Sequence, residues 1–306
     1  MSTAPILAIT GGTGFIGQHL LRHAAAHGFQ VRALARVPQH ARPGVVWIEG
    51  SLGDPESLAR LVSRADAVIH VAGVINAATR GDFETGNVAG TLALVEAARV
   101  EGVRRFVHVS SLAAREPHLS AYGWSKAKSE AVVSSAPLDW TIVRPPAVYG
   151  VGDREMLELF RMARRGLVAL PPAGRMSVIA ADDLAALLLA LAGVRDEEPA
   201  TYEPDDGHPG GITHAELAQA LGQALGRKRV RTMAMPRGFL HLIGRVEGMA
   251  RGPNAKLTAD RIGYFCHPDW VSSPQAQPPE TLWKPEIGLG EGLKATADWY
   301  RAAKWL

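Results

Sequence analysis

Thr10, Gly11, Gly12, Thr13, Gly14, Phe15, Ile16 and Gly17, the stretch TGGTGFIG, carry the reading of the fold. An apolar β-branched run, Ile6 to Thr10, leads into it, and residues of helical character continue from Gly14 to Ala26. In that strand–turn–helix setting, Gly11 and Gly14 let the backbone turn tightly and come close to a pyrophosphate. Gly17 lets helix and strand pack closely, and the free N–H groups of the helix start face the phosphates. The spacing therefore predicts a dinucleotide site, with Gly11, Thr13, Gly14, Phe15, Ile16 and Gly17 as its candidate residues.

Outward from that turn the first half of the chain alternates short strands with helices. Strands are expected at Gln30 to Ala35, Val45 to Glu49, Ala67 to Ala72, Arg105 to Ser110 and Trp140 to Arg144, and helices at Pro55 to Ser63, Thr85 to Val100 and Ala121 to Ser135. That alternation is the mark of an α/β fold with a doubly wound parallel Rossmann sheet. After about Gly150 it stops. Residues 1–150, rejoined by 176–203, are expected to form the nucleotide-binding domain, and 151–175 with 204–306 a smaller C-terminal substrate lobe. The stretch Asp196 to Gly211 reads as a loop, and Thr213 with Glu216 reads as a capping box opening the next helix. There is no internal repeat.

The second strand ends in Leu34, Ala35 and Arg36, where an NAD-preferring site would place a carboxylate against the ribose 2′-hydroxyl. A guanidinium there suits the 2′-phosphate of NADP(H), so NADP(H) is the expected cofactor and NAD the weaker alternative. Arg32 could assist if it faces the same way, and a merely solvated Arg36 is the plain alternative.

Composition narrows the classes of function. The 306 residues carry 33 basic and 30 acidic side chains, mixed along the chain, which gives no basic domain for nucleic acid. Cys266 stands alone, so neither a disulfide framework nor a thiolate metal site is available. The start has no signal-peptide pattern and no apolar run reaches the length of a membrane span. A cytoplasmic protein is the expectation.

Further motifs follow in order: VIHVAG at Val68 to Gly73, Asn87 with Gly90 and Thr91 and then Leu94 to Ala98, the serine pair Ser110 and Ser111, Tyr122 with Lys126, and RPPAVYG at Arg144 to Gly150. Together with the glycine turn they resemble the extended short-chain dehydrogenase/reductase family over most of the chain. The resemblance implies an NADP-dependent oxidoreductase acting on CH–OH and C=O groups. It also implies further cofactor contacts at Ser51, Leu52, Val71, Ala72, Gly73, Val109, Pro145 and Val148, and with Tyr122 and Lys126 themselves.

The chemistry of the catalytic candidates can be read from the residues. Tyr122 and Lys126 stand four apart on a helix and share a face, so the ammonium can lower the proton affinity of the phenol. Tyr122 then serves as a general acid or base. Ser111 is the candidate donor to the substrate oxygen, with Ser110 as the alternative on the other face of the strand. Asn87 has either a site role or a structural one.

For the substrate, the resemblance cuts against nucleotide sugars. Members acting on those carry an Asn after the sixth strand where Ala147 stands here, and an Arg-Asp-Phe-like element where this chain reads Gly174 to Ile179. Phe239, Leu240, Leu242, Ile243, Val246 and Met249, interspersed with Arg237, Arg245 and Arg251 and followed by Leu257 to Phe265, resemble the substrate lobe of members reducing hydrophobic ketones such as sterols, flavonoids and keto-sphingolipids. Ala147, Phe239 and Ile243 are the candidate substrate contacts, and lobe packing is the plain alternative for the apolar run. A lipid-like ketone is the expected substrate and a small hydrophobic molecule the expected partner, with a monomer or homodimer. Peripheral membrane contact through this basic amphipathic stretch is a minor alternative. A nucleotide-sugar epimerase or dehydratase, and a non-catalytic NADP-binding scaffold, are the competing readings. His19, His23 and His27 recur every fourth residue on the first helix without supporting carboxylates, so no metal is expected.

Overall fold

The computed structural model describes residues 4–194, 198–252 and 258–306. Asp196 at the start of the expected loop and Leu257 lie outside the described residues, as does the side chain of Arg251. The chain divides into two compact units.

The first unit comprises Met1–Arg144, Leu184–Tyr202 and Pro278–Lys284. Among its described residues are strands β1 (Ile6–Thr10), β2 (Gln30–Ala35), β3 (Val45–Glu49), β4 (Ala67–His70), β5 (Arg105–Val109) and β6 (Asp139–Val143). With the strand Ala200–Tyr202 they form a seven-stranded sheet in the order Ala200–Tyr202, β6, β5, β4, β1, β2, β3. All its pairs are parallel. Parallel strands are covered on both faces, which is why β4 and β5 are buried at every position. Helices α1 (Phe15–Ala26), α2 (Pro55–Val62), α4 (Gly90–Val100) and α5 (Ala121–Ser134) connect the strands, with a short α3 (Arg80–Phe83) ahead of α4. Leu58, Leu61, Val62, Leu94, Val95, Phe106 and Ile142 interlock in one fully apolar core. Chain order reverses between β1 and β4, and that crevice is where open α/β sheets bind ligands.

Two local departures from the sequence reading sit at that crevice. β4 ends at His70, two residues before the expected Ala72, because the Ala72 N–H turns to the Thr10 hydroxyl (3.2 Å) and the Val74 N–H to Asn87 Oδ1 (2.6 Å). The expected helix from Thr85 is instead a π-helix, Glu84–Ala89, that runs into α4. The widened turn accompanies the reach of the Asn87 side chain to the Val74 backbone.

The second unit comprises Pro145–Asp183, Glu203–Gln277 and Pro285–Leu306. It begins at Pro145, earlier than residue 151, because the strand Ala147–Tyr149 pairs with Val178–Ala180 and not with β6. Thr213 caps the helix His214–Ala224 with the full capping box: its hydroxyl accepts from Glu216 N (3.1 Å) and Glu216 Oε2 accepts from Thr213 N (2.7 Å). That helix buries Leu217 and Leu221 in a core with Phe160, Leu293 and Tyr300.

Candidate active site

β1 delivers the chain into the glycine turn. Gly11 has φ +74°, and a Cβ there would stand 2.6 Å from the Ala72 nitrogen and 2.9 Å from the Val71 carbonyl carbon. Only glycine fits between these two strand ends. A Cβ on Gly17 would overlap the Gly11 carbonyl oxygen. Gly14 caps α1 with no side-chain hydrogen bond, and the first turn contains no acid. The turn is therefore a backbone cradle with uncapped N–H donors, Thr13 and Gly14 lie exposed on it, and the residues fit a dinucleotide pyrophosphate.

The other candidate cofactor residues of this unit stand at the carboxyl ends of the parallel strands. Arg36 is exposed and directly follows β2. Arg32 is not its assistant, since its guanidinium donates to the Ser63 carbonyl. Ser51 and Leu52 follow β3, with Leu52 packed on Gly90 at the start of α4. Gly73 follows β4, and a Cβ on it would lie 3.4 Å from Asn87 Oδ1 and 3.7 Å from Lys126 Nζ. Pro145, Ala147 and Val148 belong to the second unit, Pro145 buried and the other two half-buried. Phe239 and Ile243 lie in the same unit on the helix Arg237–Arg251, Phe239 exposed and Ile243 half-buried, while Leu240 is buried.

The catalytic candidates meet where β5 ends and α5 begins. Ser120 caps α5 by accepting from Gly123 N (2.9 Å), which places Tyr122 in the first turn. One turn on, Lys126 is buried and donates from Nζ to the Val109 carbonyl (2.7 Å). Burial pushes its ammonium down to about 8, with the Glu130 carboxylate pulling the other way. Tyr122 is half-buried, its ring 6.2 Å from that of Phe83.

Geometry separates the two serines. Ser110 donates its hydroxyl proton to Glu130 Oε1 (2.5 Å). Arg144 grips the same carboxylate through Nε (2.9 Å) and Nη2 (2.6 Å). Ser111 instead accepts from Ala113 N (3.2 Å), which leaves its own proton to give. Ser111 is thus the serine equipped to donate to a substrate oxygen.

A chain of hydrogen-bonded polar side chains ties the cradle to α5. Asn87, 2% exposed, accepts from Val74 N and donates to the Val74 carbonyl (2.9 Å) and to Ser125 Oγ (2.9 Å). Ser125 donates in turn to the Tyr122 carbonyl (2.8 Å). Thr91 donates to the Asn87 carbonyl (2.6 Å), so it accepts from His70 Nε2 (2.9 Å), and His70 Nδ1 accepts from Thr10 Oγ1 (2.6 Å). These bonds fix one tautomer of a neutral His70, which burial and then Lys126 hold down to about 3. His108 is also held well below its usual range by burial, and its ring centroid lies 5.2 Å from that of His70.

Sequence reasoning missed Glu130, Arg144, His70, Thr10 and Thr91 as parts of this arrangement. Glu130 could have been found: it stands four residues beyond Lys126, so it continues the face of Tyr122 and Lys126. His19 is buried edge-on to Phe15 (5.4 Å), while His23 and His27 stack on each other (6.4 Å).

Residues 11–193 match a family model described as NAD(P)H-binding. Over 98% of its length the chain is 38% identical to a ceramide reductase of Caulobacter vibrioides, of which it covers 96%. The chain belongs to the extended short-chain dehydrogenase/reductase family. Membership makes it an NAD(P)-dependent oxidoreductase. Another member, a 2-alkyl-3-oxoalkanoate reductase of Stenotrophomonas maltophilia, is 29% identical over 94% of this chain and 97% of its own. Among solved structures, the UDP-glucose 4-epimerase of Thermotoga maritima with UDP-glucose superposes with a TM-score of 0.71, covering 98% of this chain and 99% of the other. At 21% identity that likeness speaks for the shared fold alone.

Proposed function

We propose that this protein is an NADPH-dependent reductase of a ketone on a hydrophobic, lipid-like molecule, such as a 3-keto sphingolipid or a sterol-like ketone. The observation that carries the reading is the intact donor set of Ser111, Tyr122 and Lys126 in a chain that resembles a ceramide reductase along nearly its whole length. Arg36, exposed after β2 with no carboxylate in its place, supports NADPH over NADH.

A bound reduced nicotinamide supplies the hydride. Ser111 donates a hydrogen bond to the carbonyl oxygen and steadies the charge that develops there. Tyr122 gives that oxygen its proton. Lys126, still charged at neutral pH, lowers the proton affinity of the phenol, and the Val109 carbonyl holds its ammonium in place. Ser110, Glu130 and Arg144 fasten α5 to the ends of β5 and β6 and so keep these donors in register.

The test follows NADPH oxidation with keto-sphingolipids and sterol-like ketones, and product formation from UDP-sugars, whose epimerisation or dehydration consumes no net NADPH. Turnover of a hydrophobic ketone with NADPH ahead of NADH is the expected result. Turnover of a UDP-sugar with no activity on any ketone would overturn the reading in favour of an epimerase or dehydratase.

A further inference from the structure

Within the second unit, the helix Arg237–Arg251 turns large apolar side chains outward. Phe239, Leu242, Val246 and Met249 are about half to nine-tenths exposed, Met249 at 89%. At roughly 100° per residue these four fall within about 80° of arc, so they form one stripe. Arg245, also exposed, borders the stripe, and the exposed Arg237 stands in the first turn. The chain leading into the helix is basic as well: Lys228, Arg229 and Arg231 are exposed, as is every residue of the strand Arg231–Ala234. Residues 227–251 hold seven basic side chains and one acidic, Glu247, an excess of six in a chain whose whole excess is three. The rest of the chain is therefore net negative, and the positive excess falls in the segment that carries the apolar stripe.

We propose that this segment docks the protein onto the surface of a bilayer containing anionic lipid, with the stripe among the acyl chains and the arginines at the headgroups. Two observations select a bilayer over a second copy of the chain. The stripe runs about 15 Å and is about 10 Å wide, so it offers roughly 150 Å², against roughly 800 Å² per partner in a stable dimer. Arg245 lies on its border and Lys228, Arg229 and Arg231 are exposed on the segment leading into the helix, so two copies facing each other would set like charges together, whereas anionic headgroups attract. Among the described residues no helix is long and apolar enough to cross a membrane, so the attachment is interfacial. The inference concerns where the protein sits and stands apart from the proposed reaction.

The experiment is co-sedimentation of the full chain with vesicles of phosphatidylcholine alone or mixed with phosphatidylglycerol, at low and high salt. The expected result is binding to the mixed vesicles that weakens with salt, and little binding to phosphatidylcholine alone. Leu242→Glu with Val246→Glu should lower the partition coefficient by about tenfold or more, and Arg245→Glu should weaken binding and reduce its salt dependence. Thermal melting and NADPH binding, measured on the same variants, separate this loss from misfolding. Failure of the parent protein to bind mixed vesicles at low salt would overturn the proposal. So would equal binding by correctly folded variants, or a concentration-dependent dimer that the Leu242→Glu change abolishes.

Discussion

Lys126 is a buried cation whose charge the proposed reaction needs, and much of the chemistry at the residue scale follows from that tension. Its ammonium is pushed down to about 8 from an ordinary 10.5, so the charge is present at neutral pH and is lost as pH rises through about 8. With it goes the stabilisation of the Tyr122 phenolate. Ketone reduction should therefore decline on the alkaline side of about pH 8 in a pH–rate profile. In Glu130→Gln the carboxylate that favours the charged form is gone, and the decline should move to lower pH. Tyr122→Phe keeps the ring and removes the proton, so turnover should fall by roughly 10²- to 10⁴-fold while NADPH titrations stay near the parent value. Lys126→Met should damage both. Arg36→Asp should narrow or reverse the preference for NADPH over NADH, and equal affinities in the parent protein would remove that argument. Tyr122, Lys126 and the serine pair stand out in the sequence as candidates through their joint order and spacing with the glycine turn. Which serine has a proton to give turns on where one proton of Ser110 is spent.

At the scale of elements, Ala200–Tyr202 lies in the stretch read as a loop and yet completes the sheet, whereas β1 to β6, the helices between them and the glycine turn were legible because buried parallel strands read as unbroken apolar runs, and turns carry glycine. The π-helix at Glu84–Ala89 was not, because what widens it is a side chain reaching across to another loop and not a local propensity. Asn87→Ala would leave the Val74 N–H and carbonyl without their partner, and should cost about 1–3 kcal/mol in chemical denaturation, alongside lower turnover as α5 loses its tie through Ser125. Gly17→Ala would drive a methyl into the Gly11 carbonyl and shift the cradle, so the NADPH dissociation constant should rise by about tenfold or more in a fluorescence titration.

For the whole molecule, the substrate reading has a quantitative form. Each methylene withdrawn from water contributes about 0.8 kcal/mol, so within a ketone series the specificity constant should rise about fourfold per carbon until the available surface is filled. Ile243→Asp should flatten that dependence and leave NADPH binding unchanged. The strand Ala147–Tyr149 follows β6 closely in the chain but pairs with Val178–Ala180. The sheet order carries one more consequence, for the protein as it is being made. β6 lies between β5 and the strand Ala200–Tyr202, so until a ribosome has released residue 202 the sheet ends in the five-residue β6 and not in the three-residue strand that closes the finished sheet. Nearly sixty residues of chain, some belonging to the second unit, emerge while that edge stands open, an invitation to pairing with a neighbouring nascent chain. A truncated product ending near residue 150 would keep the cradle, α5 and every catalytic candidate, and would still be expected to aggregate.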